Sequence, residues 1–260
     1  LVAKIVSVEN MSPELELAIS AARQAGALLR ENYETDLVVD ELKAHDIKLN
    51  LDVRCQDLIT DCILASFPDH AIYGEEGLGG NQDSDKQWIV DPLDGTVNYF
   101  YAIPHFCVSI ALRVAGELKI GVIYEPMRDE LFAVDFDGPA TLNGTPITPS
   151  DRAQLAESMM TIGFSKTEAS IEAGLQRYKR IAFRVRKTRM MGSAALSLAY
   201  IACGRIDAYV EERISLWDIA AGQLLVERSG GIVTLSDSPG APDKHGIVAY
   251  NGKLPMHEIL

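Results

Sequence analysis

One stretch constrains this chain more than any other: Trp88-Ile89-Val90-Asp91-Pro92-Leu93-Asp94-Gly95-Thr96. Trp88 to Val90 is apolar throughout, the pattern of a short strand buried on both faces. Asp91-Pro92 stops it, because Pro92 has no N–H to give to the ladder. The Asp91 carboxylate then emerges at the sheet edge. Asp94 returns three residues later across a tight turn, so two carboxylates can bracket one hard cation, with the Leu93 carbonyl between them as a further oxygen ligand. Gly95 lets the backbone come close to a ligand. A helix starting at Thr96 would aim the amides of Gly95 and Thr96 at an anion, and the Thr96 hydroxyl is placed to orient a water. A lone Asp-x-x-Asp-Gly is better read as an ordinary turn, with Asp91 capping a helix. The surrounding string and two further acidic clusters argue otherwise.

Those clusters also sit at element ends. Gly74-Glu75-Glu76 follows the short apolar strand Ala71 to Gly74, and Leu216-Trp217-Asp218 opens a helix running from Asp218 to Ser229. Elsewhere, Ser12 caps and Pro13 starts a helix reaching about Tyr33, with Leu15, Ile19, Ala22, Ala25 and Leu29 on one stripe. A second helix is expected from Asp52 to Phe67. Val108 to Leu112 and Lys119 to Tyr124 flank a turn at Ala115-Gly116-Glu117, and Leu131 to Val134 follows. After the turn dipeptide Asn143-Gly144 the pattern predicts a helix from Ala194 to Cys203 closed by Gly204, and strands at Ala208 to Glu211 and Gly231 to Leu235. Hairpins mixed with helices give an α+β layered fold rather than a simple βαβ winding.

The formal net charge is −13, which argues against nucleic acid or an anionic membrane as partner. A phosphorylated ligand would be repelled as well, unless clustered carboxylates hold a divalent cation in the site. No apolar run approaches the length of a membrane span. The first ten residues, interrupted by Lys4 and Glu9, make a poor signal-peptide core. Cys55, Cys62, Cys107 and Cys203 form no Cys-x-x-Cys pair and have no histidine at zinc spacing; buried thiols in a reducing cytoplasm fit them. No histidine pair has ligand spacing, and the basic run Arg184 to Arg189 reads as a solvated strand or interface face. Glu212 reads as surface.

Asp91-Pro92-Leu93-Asp94-Gly95-Thr96, followed by Val97-Asn98-Tyr99, resembles the signature of the inositol monophosphatase family. So do Gly74-Glu75-Glu76, Trp217-Asp218 with Ala220-Ala221-Gly222 and Gly230-Gly231, and Gly192-Ser193-Ala194-Ala195-Leu196. In the family's order, they span roughly Asp46 to Asn251. The resemblance implies a layered αβαβα sandwich like that of fructose-1,6-bisphosphatase. It would be a single catalytic unit over 1–260, with a metal and phosphate half over about 1–148 and a substrate half over about 149–260. It implies two or three Mg2+ ions held by Glu75, Asp91, the Leu93 carbonyl, Asp94 and Asp218. Asp52, Glu75 and Thr96 would be catalytic, Asp52 pairing with the Thr96 hydroxyl to polarise the attacking water. Asp94, Gly95, Thr96, Ser193, Ala194 and Glu211 would bind substrate. A homodimer and inhibition by Li+ are further implications.

Two positions depart from the family pattern. Leu49 stands where a threonine is expected, which leaves the role of the loop around Lys43 open, and Ser215 stands where animal members carry a histidine. The implied reaction is Mg2+-dependent hydrolysis of a small polyol phosphate, most naturally inositol 1-phosphate. Within the superfamily, fructose-1,6-bisphosphatase, histidinol-phosphate phosphatase and 3′-phosphonucleotide phosphatase activities are the alternatives. A non-catalytic, metal-binding regulatory protein is the alternative from another class, disfavoured because every expected carboxylate ligand is present.

Overall fold

A computed structural model of the chain describes residues 11–35, 37–43, 46–136, 138–164, 168–238 and 244–260. Residues 44 and 45, which follow Lys43, lie outside this set, as do Lys4 and Glu9. Helix α1 (Pro13–Glu31) begins as its sequence dictates, with the Ser12 hydroxyl accepting the Leu15 N–H at 3.1 Å. A hairpin of β1 (Val39–Lys43) and β2 (Asp46–Leu49) leads into α2 (Asn50–Ser66). Next come β3 (Ala71–Gly74), β4 (Gly77–Gly80), β5 (Lys86–Asp94) and the short α3 (Thr96–Phe100). A meander follows of β6 (Cys107–Val114), β7 (Glu117–Glu125), β8 (Glu130–Asp135), β9 (Thr141–Leu142) and β10 (Thr145–Pro146). Ala115-Gly116 and Asn143-Gly144 both turn through positive φ, as tight hairpins require.

The later part of the chain contains β11 (Met159–Ile162), α4 (Glu168–Ala182), β12 (Lys187–Arg189), α5 (Ala194–Ala202), β13 (Ala208–Ser215), α6 (Leu216–Ser229), β14 (Ile232–Asp237) and β15 (Lys244–Tyr250). Eight strands form one sheet in the order β10-β9-β8-β7-β6-β5-β3-β4, antiparallel except for the pair β3–β5. Five form a second, β12-β11-β13-β15-β14, in which β11 runs parallel to β12 and β13. Three apolar clusters bind the layers. Helices α1 and α2 cover one face of the large sheet, burying Val108, Ile110 and Leu112 of β6. Helices α5 and α6 lie between the sheets and take the alternate residues, Cys107 and Ala111. Helix α4 covers the outer face of the second sheet. The result is the expected αβαβα sandwich. Small residues let the central layer form: a Cβ on Gly222 would lie 2.5 Å from the Leu198 Cβ, and one on Gly121 would lie 2.9 Å from the Ala221 carbonyl oxygen.

Several expected boundaries move, three of them at the cavity, while α2 begins at Asn50 rather than Asp52. The strand expected to stop at Asp91 continues to Asp94, with a register shift against β6 between those two residues. Pro92 sits within that irregularity, where a missing N–H costs no ladder bond. Asp94 therefore belongs to the strand, and the left-handed turn comes at Gly95, with φ of 104°. Strand β13 runs on from Glu211 to Ser215, again past a register shift. Helix α6 begins at Leu216 because Ser215 caps it. Cys55, Cys62, Cys107 and Cys203 are all free thiols. Among the described residues no helix is long and apolar enough to cross a membrane.

Candidate active site

The parallel pair β3–β5 explains how distant acids meet. Gly74 is in register with Val90, and the Glu75 N–H donates to the Val90 carbonyl at 3.1 Å, so Glu75 emerges beside Asp91. Gln56 of α2 steadies this turn by accepting the Glu76 N–H at 2.8 Å and donating to the Gly77 carbonyl at 3.1 Å. Gly74 is required there, since a Cβ would overlap the Gln56 amide. Asp218 arrives from the first turn of α6, where it accepts the Ser215 N–H at 3.0 Å. Asp91, Asp94 and Asp218 each present an oxygen within 4.8 Å of the others.

This crowding is electrostatically costly. Burial, then repulsion from Asp218, Asp52 and Glu76, pushes the Glu75 carboxyl up to about 8. Burial and Asp218 push Asp94 up to about 7, against the hydrogen bonds it accepts. Asp91 is raised well above its ordinary value by burial and by Glu75, and Asp218 is raised chiefly by burial. Asp91 Oδ2 is buried with no hydrogen-bond donor, while Oδ1 takes the Leu93 N–H at 3.0 Å. Acids arranged so expensively fit a hard divalent cation, which would reverse the sign of their mutual effect. The side-chain donors brought together are all carboxylate oxygens, which suit a hard cation and not a thiophilic metal.

Residues 10–259 match the model of the inositol monophosphatase family. The chain belongs to that family. A relative named Nus factor SuhB, from Pasteurella multocida, is 40% identical over 227 residues, covering 86% of this chain and 85% of its own. The extragenic suppressor protein suhB of Bartonella henselae has a similar structure, with TM-score 0.85 and 32% identity over 92% of this chain and 94% of its own. An inositol monophosphatase from Anabaena (Nostoc) gives TM-score 0.79 and 37% identity over 92% and 91%.

Glu75, Asp91, Asp94 and Asp218 line a cavity of about 690 Å³, together with Asp52, Leu93, Gly95, Thr96 and Glu211. The expected pairing of Asp52 with the Thr96 hydroxyl is not made: that hydroxyl gives its one proton to the Leu93 carbonyl at 3.0 Å, while Asp52 in the first turn of α2 accepts the Leu49 N–H at 2.9 Å. Gly95 is needed at the entrance to α3, where a Cβ would lie 3.0 Å from the His105 carbonyl oxygen. Ser193 and Ala194 stand behind the cavity wall and hold Asp94. Its carboxylate accepts the Ser193 hydroxyl at 2.5 Å, the Ala195 N–H at 2.7 Å and the Ala194 N–H at 3.4 Å, at the start of α5. Across the cavity, Glu211 accepts the Tyr209 hydroxyl at 2.5 Å. Gly163 makes room for it, since a Cβ there would overlap the Glu211 carboxylate.

Sequence reasoning missed the cations. Lys48, Arg213 and Lys244 line the cavity, with Lys48 paired to Glu76. Lys244 reaches the Ser215 hydroxyl and lies 5.5 Å from the centre of the Trp217 ring. Only the cross-strand pairing of Ser215 with Lys244 brings that residue in, and no local motif announces it. The basic run is elsewhere: Arg184 pairs with Glu258 at 2.5 Å, and Lys187 to Arg189 form edge strand β12. Glu212 is more than surface, because it pairs with Arg177 of α4 at 2.6 Å.

Proposed function

We propose that this protein hydrolyses the phosphate monoester of a small polyol, inositol 1-phosphate first among them, with two or three Mg2+ ions as cofactor. The observation that carries the reading is the convergence of Asp91, Asp94 and Asp218 within 4.8 Å, with Glu75 beside them, in a family of phosphatases. When bound, Mg2+ supplies charge neutralisation and Lewis-acid polarisation of the phosphoryl group.

The chain's own residues do the rest. Glu75, Asp91, Asp94, Asp218 and the Leu93 carbonyl hold the ions. The amides of Gly95 and Thr96 donate to phosphate oxygens and fix the phosphorus for attack. Asp52 and the Thr96 hydroxyl, both lining the cavity, orient the attacking water and draw on its proton. Glu211 accepts hydrogen bonds from substrate hydroxyls, while Ser193 and Ala194 act at one remove by fixing Asp94. The whole chain serves as one catalytic unit. We read it as a cytoplasmic homodimer, the first from its four free thiols and the second from family likeness.

Phosphate release from inositol 1-phosphate, before and after dialysis against EDTA and again with Mg2+ returned, tests the reading. Turnover that is lost and then restored supports it. Full turnover without metal, or none on any polyol phosphate, sinks it. The relatives named Nus factor favour a second reading, in which this chain also serves as a Nus factor. The acid cluster is complete, so the two readings are compatible.

A further inference from the structure

Lys48, Arg213 and Lys244 line a cavity otherwise dominated by carboxylates, in a chain of net charge −13. Of the three, Lys48 is spent on Glu76. The other two are not matched in this way. Among the described residues Arg213 makes no hydrogen bond or ion pair, and the neighbouring Glu212 is taken by Arg177. Lys244 meets the Ser215 hydroxyl and the Trp217 ring and opposes the upward push on the Asp218 carboxyl, but among the described residues it forms no ion pair with a carboxylate. Elsewhere cations find acids readily, as in Arg205 with Glu130 and Arg184 with Glu258. A half-buried guanidinium with no acceptor, facing a cavity, is a donor set held ready for an anion.

Backbone geometry builds this arrangement deliberately. Glu211 and Arg213 face the cavity together because residues two apart in a strand share a face, and the register shift of β13 against β15 between Glu211 and Ile214 accommodates an extra residue, so that Ile214 lines the cavity as well. Ser215 pairs across the strands with Lys244, which brings the second cation to the same wall. Asp91 and Asp94, by contrast, enter from β5. We infer that the β13–β15 wall is a subsite for a second anionic group on the substrate, read by Arg213 and Lys244. This rests on the phosphatase reading and narrows its substrate class to polyol phosphates bearing a further carboxylate or phosphate. A cavity of about 690 Å³ has room for such a molecule. The guanidinium fork suits either planar carboxylate or phosphate oxygens.

A matched set of compounds tests it. Glucitol 6-phosphate and 6-phosphogluconate differ only in whether the far carbon is a hydroxymethyl group or a carboxylate, and glucitol 1,6-bisphosphate supplies the phosphate arm. With Mg2+, kcat/KM for at least one doubly anionic compound should exceed that for glucitol 6-phosphate by about tenfold. The larger of the two ratios names the group. Calorimetric Kd values in EDTA should show the same preference, since the subsite belongs to the chain itself. In the Arg213→Ala, Lys244→Ala double variant both ratios should fall toward one, whereas Arg213→Lys and Lys244→Arg should retain most of the preference. A merely structural role would lower all rates without moving the ratio. Ratios near one in the unaltered protein, or ratios that survive the double substitution, overturn the inference. If no compound is hydrolysed while the binding preference persists, the phosphatase reading falls and the anion subsite stands.

Discussion

Strands β5 and β13 end alike and behave differently. Each shows a register shift near its C-terminal end against an antiparallel neighbour, and each delivers acids into one cavity. At the end of β5, Asp91 and Asp94 meet Asp218 and Glu75; burial raises all four, and repulsion from neighbouring acids adds to it at Glu75, Asp91 and Asp94. At the end of β13, Glu211 has the Tyr209 hydroxyl as donor, and Arg213 and Lys244 share the wall. The lesson is one of compensation. The β5 end needs charge brought from solution, as a metal site does, whereas the β13 end carries its own donors and cations, as a recognition surface does.

Substitutions should break the two ends in different ways. Asp91→Asn keeps the shape of the side chain but removes a charge from the β5 end. Turnover should fall on the order of a thousandfold, with Mg2+ affinity falling in parallel, as measured by steady-state kinetics and calorimetry. Thr96→Ala leaves the acids in place, so kcat should drop roughly a hundredfold while the Mg2+ affinity stays put. A variant with unaltered kcat removes the water-orienting role. At the β13 end, Glu211→Gln should raise KM for inositol 1-phosphate about tenfold and barely affect an aryl phosphate, which has no hydroxyl to offer. Equal losses on both substrates would mean that Glu211 supports the fold or the metal wall instead.

The smallest effect concerns stability. Carboxyls whose folded values are raised favour the folded state most at low pH, and that contribution is lost as pH rises through the folded values. For the metal-free protein the window runs from the ordinary values of 3.8 and 4.5 up to about 7 for Asp94 and about 8 for Glu75. Its melting temperature should therefore carry a downward component between those limits, which saturating Mg2+ offsets. Asp91→Asn should flatten the metal-free curve, and a substitution at Glu211 should not.

Much of the β5 end was legible beforehand, because its acids lie in short strings bounded by glycine and proline. Asp91, Asp94, Glu75 and Asp218 all reach the cavity as the motifs imply. Strand ends were less legible. Pro92 looks like a terminator, yet a local irregularity absorbs it and the strand continues. The placement of Ser193 and Ala194 behind Asp94 depends on where α5 docks, which a helix of small residues does not reveal. The cations of the β13 end were invisible for a related reason. Lys244 is 29 positions from Ser215 and becomes its neighbour only through strand pairing.

The central claim, that the β5 end is a site for a hard cation, is tested most directly by titrating Mg2+ into metal-free protein at pH 7 and counting the protons released. Calorimetry in buffers of different ionisation enthalpy gives both numbers. Saturable binding with net proton release is expected, because carboxyls held protonated by crowding must ionise to take the metal. Asp91→Asn should lose most of that signal. No binding at millimolar Mg2+, or binding that Asp91→Asn leaves intact, would contradict the account.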